Sequence, residues 1–301
     1  MFSEYLPQRR NSICKLILFD IRGEIDFLED KMANIPRIIH YCWFGGSPLG
    51  PNELSCIESW KKYLPGYEIK CWNESNFDID CCAYVREAFS AQKWAFVSDY
   101  ARFKILYEYG GLYFDTDVEL VKSIDDLLSK GPFLGFETDY GNMTSSDMED
   151  GLVMAVNPGL GMGCTPGLPI YRQVLDSYES SSFLLADGDF DRTTVVYRTT
   201  KILERFGLNK TKGMQEVAGI SIYPSEYFNP KNHLTGEVKF TDNTRSIHHF
   251  KMSWFTPQEK FQHSVNRWLL MHGAGETPAK IISVALSFDI KRVIRRLKKK
   301  N

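Results

Sequence analysis

The stretch SDYARFKILYEYGGLYFDTD, residues 98–117, decides the fold. Residues Ser98–Tyr109 are predicted to form a helix with Ser98 as its N-cap, because a serine side chain accepts hydrogen bonds from the first helical N–H groups. The helix is expected to end at Gly110–Gly111, since glycine is common where a helix stops. The short apolar strand Leu112–Phe114 then runs directly into the triplet Asp115–Asp117. This order predicts part of an α/β domain in which a strand delivers two carboxylates.

The surrounding segments continue the alternation of strands and helices. Ile35–Phe44 is apolar, β-branched and aromatic, which is typical of a buried strand, and two glycines follow it. The other predicted strands are Tyr67–Trp72, Pro132–Phe136, Gly151–Val156 and Ile220–Pro224, and the other predicted helices are Asn52–Tyr63, Tyr84–Lys93, Pro169–Tyr178, Thr193–Phe206 and Ala279–Lys300. Gly159–Gly167 is rich in glycine and proline, so we expect a loop there. The pattern predicts a mixed sheet flanked by helices.

Composition and charge exclude several classes of protein. Hydrophobic residues make up 43% of the chain and aromatic residues 14%, which is enough for a sizeable core and argues against disorder. The formal net charge of -2 combines two unequal parts: residues 291–301 hold seven basic and no acidic side chains, whereas residues 1–290 hold 29 basic against 38 acidic ones. Nucleic acid is therefore not expected as a partner, since backbone binding needs a broad basic face.

Two features bear on the location of the protein. No stretch approaches the roughly 18 apolar residues that a transmembrane helix needs, and Ile13–Phe19 lacks a signal-peptide cleavage pattern, so we expect a cytoplasmic protein. The final predicted helix carries an apolar stripe beside a basic flank, at Ile282, Leu286, Ile290, Val293 and Leu297. Either this tail lies on the anionic inner face of the cell membrane, or its stripe packs on the domain and its basic side is solvated.

Asp115 and Asp117 are the leading candidates for a metal site. Carboxylates at i and i+2 point to the same side of extended backbone, and oxygen ligands suit Mg²⁺ or Mn²⁺. Three other D-x-D pairs begin at Asp78, Asp187 and Asp189, in polar, turn-like surroundings where we expect solvated loops. The pair at Asp115 differs because it follows a strand, and ligands of open α/β sheets bind beyond the carboxyl ends of strands.

Further side chains have both a structural and a functional interpretation. Asp99 and Arg102 share one helical face, either as a surface ion pair or facing the candidate metal site. Trp43 is either a core aromatic residue or a flat surface for a nucleotide base. Of the adjacent histidines at 248 and 249, the residues alone leave open whether one is buried in the core and one exposed, or one binds a ligand.

Four ordered blocks of sequence resemble glycosyltransferase family 32, the capsular-polysaccharide and Och1-like sugar transferases with a D-x-D motif. The blocks are IPRIIHYCWFGG (35–46), PGYEIKCWNESNFD (65–78), KWAFVSDYARFKILYEYGGLYFDTDVE (93–119), and ISIYPSEYFNP (220–230) with NTRSIHHFKMSW (243–254). The resemblance covers about Ile35 to Trp254. The third block is also similar to the glucosyltransferase domain of the large clostridial toxins.

The resemblance implies a GT-A fold, a nucleotide-sugar donor with UDP as the expected nucleotide, a divalent cation and retention of anomeric configuration. Carried onto this sequence, Trp43 would stack on the base, while Asp99 and Arg102 would hold the donor sugar and its phosphates. Ser253 and Trp254 would close over the diphosphate.

The same resemblance implies the metal ligands. Tyr113 and Asp115 would contact the ribose and the surroundings of the metal, and Asp117 would coordinate Mn²⁺ or Mg²⁺ directly. His248 becomes the further metal or diphosphate ligand, ahead of His249. With Arg102, Asp115 and Asp117 form the predicted catalytic set.

The resemblance is incomplete at two places. GLVMAVNPGLGMGC (151–164) departs from the family's Asn-bearing strand, so Asn157 is expected to be displaced from the sugar pocket. No carboxylate stands out as a nucleophile, which makes front-face substitution the default mechanism. The chain also extends ahead of Ile35, and Met32 is a candidate native start.

The sequence thus predicts a metal-dependent hexosyltransferase that acts on a polysaccharide or lipid-linked acceptor. The expected domains are an N-terminal extension (1–34), a GT-A catalytic domain (35–255) and a basic helical tail (256–301). Two alternatives stay open: a noncatalytic carbohydrate-binding protein on a degenerate transferase fold, and a transferase that modifies a protein.

Overall fold

The computed structural model describes residues 35–139, 154–232, 236–251 and 257–286. The described strands are β1 Ile38–Cys42, β2 Glu68–Trp72, β3 Gly111–Tyr113, β4 Val118–Leu120, β5 Phe133–Thr138, β6 Ala155–Val156, β7 Met162–Cys164, β8 Gln215–Val217, β9 Ile220–Tyr223 and β10 Ser246–His248. The described helices are α1 Pro51–Tyr63, α2 Ala83–Ser90, α3 Trp94–Tyr109, α4 Asp125–Leu128, α5 Pro169–Glu179, α6 Val195–Arg205, α7 Ser225–Phe228, α8 Pro257–Met271 and α9 Glu276–Leu286, and Pro158–Leu160 is a 3₁₀ turn.

The strands form a mixed sheet in the order β2-β1-β3-β7-β5-β9-β8, and β6 pairs with β5. β1 is parallel to β2 and β3, and β5 is parallel to β9, whereas β7 runs antiparallel to β3 and β5. A separate ladder joins β4 and β10. The predicted class, a mixed α/β sheet flanked by helices, is confirmed.

Alternation along β3 places side chains on both faces of this sheet. Leu112 and Phe114 belong to the hydrophobic cluster that includes Trp60 of α1, whereas Tyr113 between them belongs to the cluster formed with α2, α3, α5 and α6. Side chains of successive strand residues point to opposite faces, so one strand serves both layers. The sheet edge that carries Asp115 is therefore fixed by packing on both sides.

Helix α3 begins one turn earlier than the sequence predicts. It starts at Trp94, and the Ser98 hydroxyl donates to the Trp94 carbonyl over 3.1 Å, so Ser98 is not the N-cap. Apolar residues on the preceding turn, such as Phe96, extend the helix because they are buried. At its end, Gly111 has a φ of +94°, and a Cβ there would lie 2.6 Å from the Ile38 carbonyl oxygen, so only glycine fits.

Strand β7 occupies a segment that the sequence predicts to be a loop. The absence of a side chain at Gly163 allows close packing, because a Cβ there would lie 2.5 Å from the Phe133 ring and 2.9 Å from Leu112. Glycine in a strand often marks such an approach. The loop prediction for Gly159–Gly167 was wrong because tertiary packing outweighed the local preference of glycine and proline.

The C-terminal part differs from the single predicted helix. Two helices, α8 and α9, form a hairpin, and α8 was not predicted. Residues 287–300 of the predicted helix lie outside the described residues, as does the first half of the predicted strand Gly151–Val156, whose last two residues form β6. Among the described helices, none has the length and apolar character needed to cross a membrane.

Candidate active site

The D-x-D triplet lies in the turn that connects β3 to β4. The Val118 N–H donates to the Asp115 carbonyl over 3.0 Å, and the Asp115 N–H donates to the Gly159 carbonyl over 3.2 Å. The expectation of extended backbone at Asp115 and Asp117 was therefore wrong, since residues 116 and 117 form a turn. The two carboxylates nevertheless converge, because the chain leaves the large sheet here and enters the β4–β10 ladder.

Asp115, Asp117 and His248 form a cluster of metal-ligating groups. One ligand atom from each lies within 4.8 Å of the other two, and no other such cluster of three occurs in the described part of the chain. His248 reaches this place because β10 pairs antiparallel with β4 and sets His248 opposite Val118, next to Asp117. Its Nε2 lies 3.1 Å from Oδ1 of Asp117.

Electrostatics favour the charged forms of Asp117 and His248 when they face only each other, and a cation bound at Nε2 of His248 would replace the proton there. Burial raises the pKa of Asp117, but the His248 ring and the Lys251 N–H outweigh it and hold the pKa well below its usual range. Burial lowers the pKa of His248, and the Asp117 carboxylate outweighs that effect and raises it.

The donor set fits a divalent cation. Two carboxylates and one imidazole converge from separate chain segments, and carboxylate oxygens are the ligands that Mg²⁺ and Mn²⁺ prefer. The Nδ1 atom of His248 is buried without a hydrogen-bond partner, so the ring orientation is set by what Nε2 contacts. The residues that the sequence predicts as ligands are thus brought together, and the identity of the ion stays a prediction.

Arg102 lies buried between two carboxylates beside the cluster. Its Nη2 atom is 2.9 Å from Oδ1 of Asp99 and 3.3 Å from Oδ1 of Asp115, and 4% of its side chain is exposed. The Tyr113 hydroxyl donates to Asp115 Oδ1 over 3.0 Å, and the Tyr113 ring lies 5.0 Å from the guanidinium carbon. Burial raises the pKa of Asp99 to about 6 despite the nearby Arg102. The buried, positively charged guanidinium of Arg102 is therefore held next to the Asp115 carboxylate.

The loop after β10 adds contacts that sequence reasoning missed. The Lys251 N–H donates to Asp117 Oδ2 over 2.8 Å, and its ammonium pairs with the buried Glu53 of α1. The His249 N–H donates to the Asp117 carbonyl over 3.0 Å, while its ring turns outward to Glu119. No local pattern marks Glu53, because its partner lies far along the chain.

The 3₁₀ turn at Pro158–Leu160 closes one side of Asp115. Asn157 Oδ1 accepts from the Gly159 N–H over 2.7 Å, and its amide nitrogen bonds to Glu137. A Cβ at Gly159 would collide with the Asp115 carboxylate and lie 3.0 Å from Asn157 Oδ1. Asn157 was expected to be displaced from the sugar pocket. In the structure, its side chain caps the 3₁₀ turn, and Gly159 of this turn lies next to the Asp115 carboxylate. The Asn-Pro-Gly sequence signals a turn here, but it does not indicate that the turn contacts Asp115.

The remaining predicted donor residues are Trp43, Ser253 and Trp254. Trp43 is partly buried, with its ring N–H bonded to the Ser47 carbonyl over 2.6 Å and its backbone N–H to the Trp72 carbonyl over 2.8 Å. Its role in base stacking stays a prediction. Ser253 and Trp254 lie outside the described residues.

Comparison with known proteins identifies the region that contains these groups. The family described as "Glycosyltransferase sugar-binding region containing DXD motif" matches residues 50–134. Over residues 50–134 the chain is therefore similar to glycosyltransferase sugar-binding regions. The matched range includes Asp99, Arg102, Asp115 and Asp117, and it confirms the resemblance to D-x-D glycosyltransferases.

Two curated proteins similar to this chain are named as glycosyltransferases. Inositol phosphoceramide mannosyltransferase 1 of Schizosaccharomyces pombe is 30% identical over 115 residues, 35% of this chain and 34% of that protein. The uncharacterized glycosyltransferase L373 of Acanthamoeba polyphaga mimivirus is 26% identical over 208 residues, 66% of this chain and 74% of that protein. The chain thus spans about a third of the length of the first relative.

Two solved structures are similar to this chain, but less closely than the two curated proteins are in sequence. The PaToxG glycosyltransferase has a TM-score of 0.43 and 19% identity and covers 57% of this chain and 69% of its own. A glycosyltransferase involved in glycosylation of the major capsid of PBCV-1 has a TM-score of 0.38 and 13% identity, and covers 73% of this chain and 95% of its own.

Proposed function

We propose that this protein is a metal-dependent, retaining hexosyltransferase that moves a sugar from a nucleotide-sugar donor, with UDP as the expected nucleotide. The observation that carries the proposal is the convergence of Asp115, Asp117 and His248 beside the buried Arg102. The sugar-binding region that matches residues 50–134 supports it.

Charge explains why a transferase needs this arrangement. A nucleoside diphosphate leaving group develops negative charge as the glycosidic bond breaks, and a divalent cation on its phosphates stabilises that charge. Asp115, Asp117 and His248 would hold the cation. Arg102 and Asp99 would orient the donor sugar, and Arg102 offsets the acidic character of the domain where an anionic donor must enter.

The engagement of both aspartates supports front-face substitution. Retaining glycosidases use a nucleophilic carboxylate about 5 Å from the second carboxyl group. Here Asp115 is bonded to Tyr113 and Arg102, and Asp117 to His248. Carboxylates held by cationic and hydroxyl partners are weak nucleophiles, so they serve better as metal and donor ligands. The acceptor hydroxyl would attack from the side on which the diphosphate leaves.

For the acceptor we propose a polysaccharide or lipid-linked saccharide at the cytoplasmic face of the membrane. The mannosyltransferase relative is named for inositol phosphoceramide, a lipid, and its similarity to this chain supports a lipid-linked acceptor. Capsular polysaccharide synthesis is the process in which we expect such a step.

A donor-hydrolysis screen tests the function. The purified full chain is incubated with UDP- and GDP-sugars in the presence of Mn²⁺, Mg²⁺ or a chelator, and free nucleotide is measured. We expect hydrolysis of one donor only with metal, and a loss of about 100-fold or more in Asp117→Asn. Asp187→Asn is the matched control, because Asp187 begins another D-x-D but is exposed, and its carboxylate accepts a hydrogen bond from the Asp189 N–H within the same loop.

Two outcomes count against the proposal. Full activity of Asp117→Asn would show that the cluster is not the site. Calorimetry that finds saccharide binding without nucleotide binding would instead support a noncatalytic carbohydrate-binding protein.

A further inference from the structure

The α8–α9 hairpin presents large apolar side chains to solvent. On α8, Phe261 is 53% and Trp268 57% exposed, and on α9, Ile281 and Leu286 are each 64% exposed. α8 has no buried residue among those described. We call these exposed side chains, together with Met271 and Ile282, the hairpin face. Large contiguous apolar surfaces on proteins mark sites of contact with a partner or a membrane.

The polar side of α8 contacts the rest of the chain. Glu259 pairs with Arg192 over 3.4 Å, and the Arg267 guanidinium fills the space beside Gly236. Glu259 and Arg267 are eight residues apart and share one side of the helix, whereas Phe261 and Trp268, seven apart, share the nearly opposite side. The helix is therefore held by its charged side, and its apolar side faces away from those contacts.

Helix α9 has an unusual composition for an exposed helix. From Pro278 to Leu286 it carries a single charge, Lys280, and only Ala279 and Ser283 are buried. A helix that is apolar on nearly all sides belongs in a core or a membrane. The hairpin face therefore needs an apolar partner that the described residues do not supply.

The charge that follows α9 indicates what this partner is. Beyond Leu286 the sequence reaches residues 291–301, with seven basic and no acidic side chains. Each basic residue near an anionic leaflet strengthens attraction to it, and tryptophan favours the interface between lipid and water. A second copy of this chain would bring the same seven basic residues to the contact, whereas an anionic membrane surface supplies the opposite charge.

We infer that the hairpin face and the basic residues after it bind the surface of an anionic lipid bilayer. The helices lie in the interface with their apolar side chains among the acyl chains, and the basic residues contact the headgroups. This deepens the proposed function by placing the enzyme where a lipid-linked acceptor is found, and it rests on that function only for its biological purpose.

Vesicle flotation tests the inference with the full chain. The vesicles are phosphatidylcholine alone or phosphatidylcholine with phosphatidylserine. We expect flotation only with the anionic vesicles, weakened by salt. The double variant Trp268→Glu/Ile281→Glu should bind at least about tenfold more weakly, since each apolar side chain contributes roughly tenfold or more when buried. Arg295→Glu/Arg296→Glu should weaken binding to anionic vesicles as well.

The control variant is Tyr197→Glu on α6, which replaces another exposed ring, 58% accessible, by the same charge. It should float like the parent chain. Equal flotation of Trp268→Glu/Ile281→Glu and parent would overturn the inference. A fall in its melting temperature or a change in its mass by light scattering would also overturn it, because the face would then be covered by this chain or a second copy. Donor hydrolysis without vesicles is measured in parallel, so loss of flotation and loss of catalysis are separate results.

Discussion

The Nε2 atom of His248 lies 3.1 Å from Oδ1 of Asp117, and this contact joins β10 to the turn before β4. Its neighbour His249 points the other way and pairs with Glu119. Two adjacent residues of the same type thus have opposite surroundings, one buried at the site and one exposed. This difference makes them a natural pair for experiment.

We expect His248→Gln to raise the Mn²⁺ concentration for half-maximal donor hydrolysis by about 10- to 100-fold, the range found when groups supporting a metal site are altered. His249→Gln should leave that concentration nearly unchanged. Titration of activity with Mn²⁺ measures both. Equal effects of the two substitutions would show that His248 has no special place at the site.

Replacing Arg102 should destabilise the protein as well as inactivate it. Arg102→Met leaves Asp99 and Asp115 without their buried cation, and breaking a buried pair costs about 3–5 kcal/mol. Lys104→Met on the same helix removes a more exposed pair with Glu108 and should change the free energy of unfolding by less than about 1 kcal/mol. Urea denaturation gives both values. Similar losses in the two variants would contradict the buried pair.

Gly159→Ala should impair catalysis more than folding. Its Cβ would push the Asp115 carboxylate away, so we expect donor hydrolysis to fall by about 10- to 100-fold, as for a misplaced catalytic group. Gly167→Ala is the control. Residue 167 has a φ of +76°, which costs alanine about 1 kcal/mol, but nothing lies within 4 Å of the new Cβ. It should lower stability and leave hydrolysis per folded molecule intact. An active Gly159→Ala would mean that Asp115 tolerates displacement.

The Glu53–Lys251 pair should make stability depend on pH. Burial raises the pKa of Glu53, but the Lys251 ammonium and backbone N–H groups outweigh it, so the pKa is lowered from 4.5. Because the pKa of Glu53 is lower in the folded protein, its ionised form stabilises the fold above the unfolded-state pKa. This stabilisation is lost as the pH falls through the folded-state pKa. Glu53→Gln should therefore lose about 1–3 kcal/mol at neutral pH, and the gap to the parent should narrow in acid.

Glu58→Gln is the matched control for this effect, since Glu58 lies on the same helix but forms an exposed pair with Lys61. Its free energy of unfolding should stay within about 1 kcal/mol of the parent at all pH values. A gap for Glu53→Gln that does not vary with pH would exclude the ionised pair.

Elements with strong local signals were predictable from the sequence. The strand at Ile38–Cys42, the helix over Pro51–Tyr63 and the succession of helix, glycines and strand before Asp115 all follow from spacing and turn residues. Strand β7 and helix α8 were missed. The first depends on the close approach of Phe133 to Gly163. The second has apolar residues at helical spacing, Phe261, Val265 and Trp268, so its sequence does carry a signal for a helix.

For the site, the sequence alone determined what lies within one helix turn or one strand end. Asp99 and Arg102 pair because they are three residues apart on α3, and Asp115 and Asp117 come together because a strand ends in a tight turn. Neighbours on one helix face are fixed by helix geometry, whereas the turn at Asp115 and Asp117 also depends on the β4–β10 ladder that the chain enters there.

Only the tertiary structure decided which distant residues join them. The antiparallel register sets His248 opposite Val118, and a shift by one residue would turn its side chain to the other face of the ladder, where Glu119 binds His249. Tertiary structure also brings Lys251 to Glu53 and Gly159 next to Asp115. Register and packing are set by the whole core, so no local pattern in the sequence records them.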